Sequence, residues 1–415
     1  MANNRITYAT AQLAIKDNRA DPTDKILGIL ADATLASGIA AGDGEIGFNE
    51  ALSGVWPDSG QFRVKTGSNT MEYIRWSEWV STSGVGGLTR GSAGSSAQAH
   101  DANDAAQLVG WECPLGVQSV SIGTTFNTED QFHLGQLDPY ENVEGIPEVE
   151  VTIERVLDGT KPLWLITTDP DYSSLKGRTA DYKCDVALSV YPDSQDSATG
   201  SPDSVCVGSG MYISSWSISM PVDGNFTESV TLVGNDKTWG LEEGTPSGYF
   251  PTSDSYDAAV VGSGIQRTED FDEDNTTLPA DVPSFDHIQS IEVSVDIARE
   301  DIFELGSKTP FYRAVTFPVT VTTTFETITD KGDLVDAIGD GRANLSDRQI
   351  IIKLKSGMTV DLGSKNKLSS LSFEGFDAGG GNGTCTFEYT NSNVLNISHT
   401  GFPDAFDTNT DLTHA

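Results

Sequence analysis

Apolar and polar residues alternate with a period of two over several short stretches, the mark of half-buried β-strands. Val149-Glu150-Val151-Thr152-Ile153 and Val319-Thr320-Val321-Thr322 are clear cases, and Ile291-Glu292-Val293-Ser294-Val295 is a third. Ile350-Ile351-Ile352-Lys353-Leu354 adds a β-branched run. Branching at Cβ suits a pleated surface better than a helix. Val222-Asp223-Gly224-Asn225-Phe226 places turn formers between apolar flanks and predicts a hairpin.

The pattern occurs twice. Residues 117–147 align without a gap to 288–318. Identities are Gln118/Gln289, Ser119/Ser290, Glu129/Glu300, Asp130/Asp301, Phe132/Phe303, Leu134/Leu305, Gly135/Gly306, Pro139/Pro310 and Pro147/Pro318. Val120/Ile291, Ile122/Val293, Phe126/Ile297 and Tyr140/Phe311 keep the apolar character. A run this long is a duplication. Downstream, Ser214 to Ile218 matches Ser369 to Phe373, and Ser229 to Leu232 is paired with Thr384 to Phe387. The offset falls from 289 − 118 = 171 to 369 − 214 = 155, so the second copy has lost a loop of about sixteen residues. Each copy is expected to be a β-sandwich with about one helix. In copy two that helix is Lys331 to Ile338, stopped by Gly339-Asp340-Gly341.

These patterns divide the chain into an N-terminal arm (1–32), a small β-module (33–110), copy one (111–239), an acidic Gly/Ser/Pro-rich linker or loop (240–286) and copy two (287–415). The module has no counterpart in the second copy and is expected to be a projecting decoration. Within the arm, Ile6 to Ile15 is β-like and is a candidate for binding a neighbouring sandwich or ring. The expected class is mainly β: two tandem sandwiches and one small β-module.

Charge sharpens the picture. Sixty-one acidic residues face 25 basic ones, for a net charge of −36. Acid spread through folded-looking sequence reads first as a halophilic surface, soluble at high salt and self-repelling at low salt, and second as that of an ordinary acidic marine or viral protein. Tight wrapping of nucleic acid needs clusters of Lys and Arg and is disfavoured. No apolar run approaches the length of a membrane span. The opening residues lack a basic stretch followed by an apolar one, so synthesis in the cytoplasm without a secretory leader is expected.

Catalytic chemistry finds no foothold. Walker, GxSxG and HExxH motifs are missing. Cys113, Cys184, Cys206 and Cys385 form no CxxC pair, and His100, His133, His287, His399 and His414 are scattered. No catalytic residue, metal site or cofactor is therefore expected. The Asp270 to Asp274 cluster lacks calcium-loop spacing, and Gly379-Gly380-Gly381-Asn382-Gly383 lacks the Lys-Ser/Thr of a phosphate loop. The candidate site residues are the repeated Glu129, Asp130, Glu300 and Asp301, read either as equivalent interface contacts or as the start of a helix or turn before Phe132 and Phe303.

Two resemblances follow from particular strings. Trp56 to Gly60, Glu72-Tyr73-Ile74, Leu88-Thr89-Arg90-Gly91 and Ala97 to His100 resemble, in that order, a β-module common in phage tail and baseplate proteins. Arg90 follows Thr89 directly and Trp76 replaces the usual Tyr, which are small departures. Ser217 to Ser229, then Val233-Gly234-Asn235 and Trp239, resemble the tail tube proteins of long-tailed phages and their archaeal relatives. That likeness covers roughly 111–415 and, with the acidic surface, suggests a haloarchaeal virus. It implies inner sheets joined into one barrel, with six sandwiches completing a ring. Two sandwiches per chain then imply a homotrimer. Implied partners are further copies of the chain, other virion tail proteins and DNA in transient passage, and the implied location is the virion tail. The rival class is a tandem β-sandwich adhesin or tail-tip binding protein; a glycan-active enzyme is a weaker third.

Overall fold

The computed structural model describes residues 11–17, 32–49, 60–65, 71–76, 78–92, 97, 99–108, 114–168, 174–180, 182–191, 203–240, 264–279, 282, 288–306, 310–329, 346–375 and 382–399. Strand β1 (Ala11–Asp17) precedes the small module. The module contains β2 (Asp32–Thr34), β3 (Glu45–Gly47), β4 (Gly60–Lys65), β5 (Met71–Trp76), β6 (Glu78–Ser81), β7 (Gly84–Gly86), β8 (Thr89–Ser92) and β9 (Ala105–Leu108). One sheet runs β2-β9-β4-β5-β8 and a second β3-β7-β6. They enclose a separate core in which Phe62 meets Phe48 edge-on at 5.3 Å and Trp76 at 5.6 Å. His100 is buried there and exchanges backbone hydrogen bonds with Ile39. Of the Trp56 to Gly60 string only Gly60 is among the described residues.

Copy one contributes β10 (Val117–Thr125), β11 (Thr128–Phe132), β12 (Pro139–Glu144), β13 (Glu148–Val156), α1 (Leu163–Thr167), α2 (Leu175–Ala180), β14 (Cys184–Val190), β15 (Ser204–Pro221), β16 (Thr227–Gly234) and β17 (Asp236–Gly240). Copy two contributes β18 (Ile288–Asp296), β19 (Arg299–Ile302), β20 (Tyr312–Val315), β21 (Thr320–Ile328), β22 (Ile351–Lys353), β23 (Met358–Asp361), β24 (Lys367–Glu374), β25 (Thr384–Ser392) and β26 (Asn396–His399). Both described helices lie in copy one; the helix expected at 331–338 falls outside the described residues.

The two copies share one antiparallel sheet, in the order β10-β13-β16-β15-β18-β21-β25-β24. Its junction is the β15–β18 pair, where Trp216 faces Val295 and Ile218 faces Val293. Long β15 also turns into a second layer, pairing with β14 and β17. In copy two β22-β23-β26 forms the corresponding layer. A single apolar core runs beneath both copies, because every second residue of the shared sheet points into it.

Three expectations need correcting. The downstream match shifts by two: Val230 pairs with Ile153 and Trp216, as Phe387 pairs with Phe325 and Leu371. Val230 therefore corresponds to Phe387, because the glycine-rich segment between β24 and β25 is two residues longer. Strand β1 pairs with β14 of its own chain from Ala11↔Val190 to Asp17↔Cys184, so this part of the arm completes copy one. The expected linker also contains ordered backbone at 264–279. Gln266 exchanges backbone hydrogen bonds with Leu157 and Phe226 of copy one, while Asp272 and Thr277 bond to Lys353 and Ile351 of copy two. Phe271 and Leu278 pack on the core and anchor this strap. Asp270 and Asp272 accept hydrogen bonds from Arg267 and Asn275 within it.

The copies differ chemically at their centres. Glu228 of β16 is buried and accepts hydrogen bonds from Arg155 Nε (2.9 Å), Trp216 Nε1 (2.8 Å) and the α1 backbone N–H groups of Leu163 and Trp164 (2.8 and 3.1 Å). This satisfies a charge that burial would otherwise penalise. At the equivalent Thr327–Cys385 rung of copy two, both side chains are uncharged.

His399 of β26 is almost fully buried, and burial lowers its pKa to about 4. The hydrogen bond with the Gly159 backbone and the Asp158 charge act in the opposite direction, while nearby Arg155 lowers it further. An unfolded histidine titrates near 6.5, so between those values the unfolded chain binds more protons. Stability from this group is full above about pH 6.5 and declines as pH falls toward 4, by about 3 kcal/mol in all. Denaturant titrations at pH 7 and pH 4.5 measure that decline; His399→Gln is expected to remove this part of it.

Candidate functional site

The four residues singled out in the sequence lie at matching places on two projecting hairpins, β11–β12 and β19–β20. All four are in strands, which overturns the reading of a helix or turn start. Asp130 accepts a hydrogen bond from the Asn142 side chain across its hairpin. Asp301 pairs with Arg313 at 3.2 Å across the other. The two sets lie in separate two-stranded sheets rather than in one site.

Strands β10 and β18 run in the same direction through the shared sheet, so both hairpins leave from the same end. They are short of cover. Leu134, Leu137 and Leu305 are 98%, 97% and 106% exposed, and Phe126, Phe132 and Phe311 stand out beside them. Leu134 with Leu305, Phe132 with Phe303 and Tyr140 with Phe311 leave apolar groups in solvent at equivalent positions on the two arms.

The hairpin of copy two already grips copy one. Arg299 donates to the Ile213 carbonyl (2.9 Å) and the Thr179 carbonyl (2.5 Å), and lies 4.7 Å from the Tyr212 ring centre. Arg313 donates to Asn235 Oδ1 at 3.0 Å. At the corresponding places in copy one stand Thr128 and Asn142.

The shared sheet has two unlike faces. One carries the core; the other carries mainly Ser, Thr and acid, exposed or half-buried except near its ends, where Val156 and Tyr212 are buried. Glu148, Glu150 and Glu154 of β13 lie on this open face, as do Glu292 and Asp296 of β18. Glu326, Glu374 and Glu388 extend it to the far side. Its basic residue, Lys367, sits at the margin and is paired with Asp347 at 2.6 Å. That lysine holds the Asp347 carboxyl below its ordinary value, chiefly through the hydrogen bond. The face repels anions. The alternation in sequence contains it, but a strand pattern does not say which face is left bare.

The outermost strands β10 and β24 are unpaired on their outer edges among the described residues. Trp216 and Ile218 are each 1% exposed at the internal junction, whereas their counterparts at the β24 edge are less covered: Leu371 is half-buried and Phe373 is 39% exposed. Val120 and Ile122 are half-buried on β10, although their counterparts Ile291 and Val293 are buried. Neither strand carries the proline or inward charge that protects a sheet edge.

No protein-family model matches the sequence, and no curated protein matches it. Among solved structures, a chain from the virion of a native gene transfer agent particle is similar over 32% of this chain and 98% of its own length. The identity is 12% and the TM-score 0.23.

Proposed function

We propose that this chain is a virion structural protein, and specifically a tail tube subunit: three chains close into a ring, rings stack, and DNA passes through the channel. The observation that carries this reading is the shared sheet, which crosses from one copy into the next and ends in two partly apolar edges that are unpaired among the described residues. A sheet that continues from chain to chain buries both edges, and a closed barrel has none. The acidic face then lines the channel, where it repels phosphate and lets DNA slide; a basic lining would bind it by counterion release. Hairpins leaving one end of each copy supply the stacking contact, with other tail proteins capping the tube. The 33–110 module, present once per chain, belongs on the outer wall. The test is particle mass and projection symmetry of purified rings, with three chains and six similar lobes expected.

Stacking brings together subunits of net charge −36. Screening supports that contact. Rings and tubes are therefore expected to loosen as salt falls from the molar range to about 0.01 M, where the screening length reaches about 30 Å. Light scattering through a salt series measures it; unchanged scattering in dilute buffer contradicts the halophilic surface.

A further inference from the structure

The internal junction is a template for the junction between chains. We infer that β24 of one chain pairs antiparallel with β10 of a second copy in a single register: Ser370 opposite Thr125, Leu371 opposite Thr124, Ser372 opposite Gly123, Phe373 opposite Ile122 and Glu374 opposite Ser121. This inference rests on the ring reading above and adds its geometry.

The register follows from the duplication. Within the chain, Ser215 to Ser219 pair with Asp296 back to Glu292. The counterparts of Ser215 to Ser219 are Ser370 to Glu374, as fixed by the Trp216↔Val230 and Leu371↔Phe387 rungs. The counterparts of Glu292 to Asp296 are Ser121 to Thr125, as fixed by Ile291↔Phe325 and Val120↔Ile153. Substituting one set for the other gives the pairs. The result keeps both faces intact: Phe373 and Ile122 meet on the core side, and Glu374 and Ser121 on the acidic side. A slip of one residue would turn apolar groups into the channel.

The register also sets the shape of the barrel. Crossing copy one from Val120 through Ile153, Val230 and Trp216 arrives at Val295, the counterpart of Thr124, four residues beyond the start (124 − 120). Four strands thus advance by four residues. Repeated through three chains of eight strands, this gives a barrel of 24 strands with a shear of 24. A shear equal to the strand number tilts strands by about 36°. With strands about 4.8 Å apart, the backbone wall has a radius of about 23 Å, wide enough for a double helix.

Junctions within and between chains differ in strength. Arg299 and Arg313 clamp the internal one, whereas Thr128 and Asn142 stand at the other. The ring should therefore come apart into whole chains.

Paired cysteines test the register in full-length protein at molar salt, in a Cys113→Ser background. Ser372→Cys with Gly123→Cys, and Phe373→Cys with Ile122→Cys, occupy neighbouring rungs, so one of them is the closer rung of an antiparallel ladder. Under mild oxidation at least one of these is expected to give covalent dimers and trimers. Controls displaced by two residues, Ser372→Cys with Ser121→Cys and Phe373→Cys with Val120→Cys, should link at least tenfold more slowly, because the thiols are then too far apart. Negative-stain images are taken of the same samples. Rings with faster linking in the displaced pairs, or with no linking, overturn the register and leave the ring reading standing. Absence of both rings and links overturns both.

Discussion

Replacing Ile122 with lysine is expected to leave the chain folded but prevent ring formation. Ile122 is half-exposed in the single chain, so a lysine there keeps its ammonium in water and costs little. In the ring the same position faces Phe373 on the core side, as Val293 faces Ile218 inside the chain, where both are buried. An unpaired charge buried there costs about 3–5 kcal/mol. That weakens each junction by roughly two to four orders of magnitude, since about 1.4 kcal/mol is tenfold. Phe373→Glu alone should act likewise, and the two together should recover part of the loss through an ion pair. Sedimentation at molar salt distinguishes single chains from rings. Normal rings from the Ile122→Lys protein would place this edge outside the interface.

The second large effect is internal. Glu228→Ala removes the acceptor shared by Arg155, Trp216 and the start of α1. Arg155 is then left buried with its charge unmatched, a loss of about 3–5 kcal/mol. Arg155→Met added to Glu228→Ala should recover part of that loss, as the uncharged Thr327–Cys385 rung of copy two implies. Denaturant unfolding of the single and double variants gives the coupling directly. A loss below about 1 kcal/mol for Glu228→Ala would mean that the cluster is better solvated than its burial indicates.

Much of this architecture is legible in the residues themselves. Alternation marks β13, β18 and β21 of the shared sheet, and the identities from Gln118/Gln289 to Pro147/Pro318 reveal the duplication. Alternation reports which residues share a face but not which strand lies alongside, so it suggested two sandwiches and not the one sheet joined at Trp216 and Val295. The two-residue slip at Val230 and Phe387 was hidden because a shift of two leaves every side chain on its own face. The strap at 264–279 looked like linker because its order comes from backbone hydrogen bonds to Leu157, Phe226 and Lys353, which composition does not record. The hairpin carboxylates Glu129, Asp130, Glu300 and Asp301 were marked by repetition, yet the exposed Leu134 and Leu305 beside them were equally repeated. In sequence an apolar residue reads as core; only the structure shows it standing in solvent.

Copies of one acidic sheet continuing edge to edge into a closed ring is the central claim, and imaging of purified protein at molar salt tests it most directly. Averaged end-on views, with mass per ring measured on the same sample, are expected to show three chains in six similar lobes around an open channel whose wall lies about 23 Å from the axis. Six chains per ring, or single chains at every salt concentration, would contradict it.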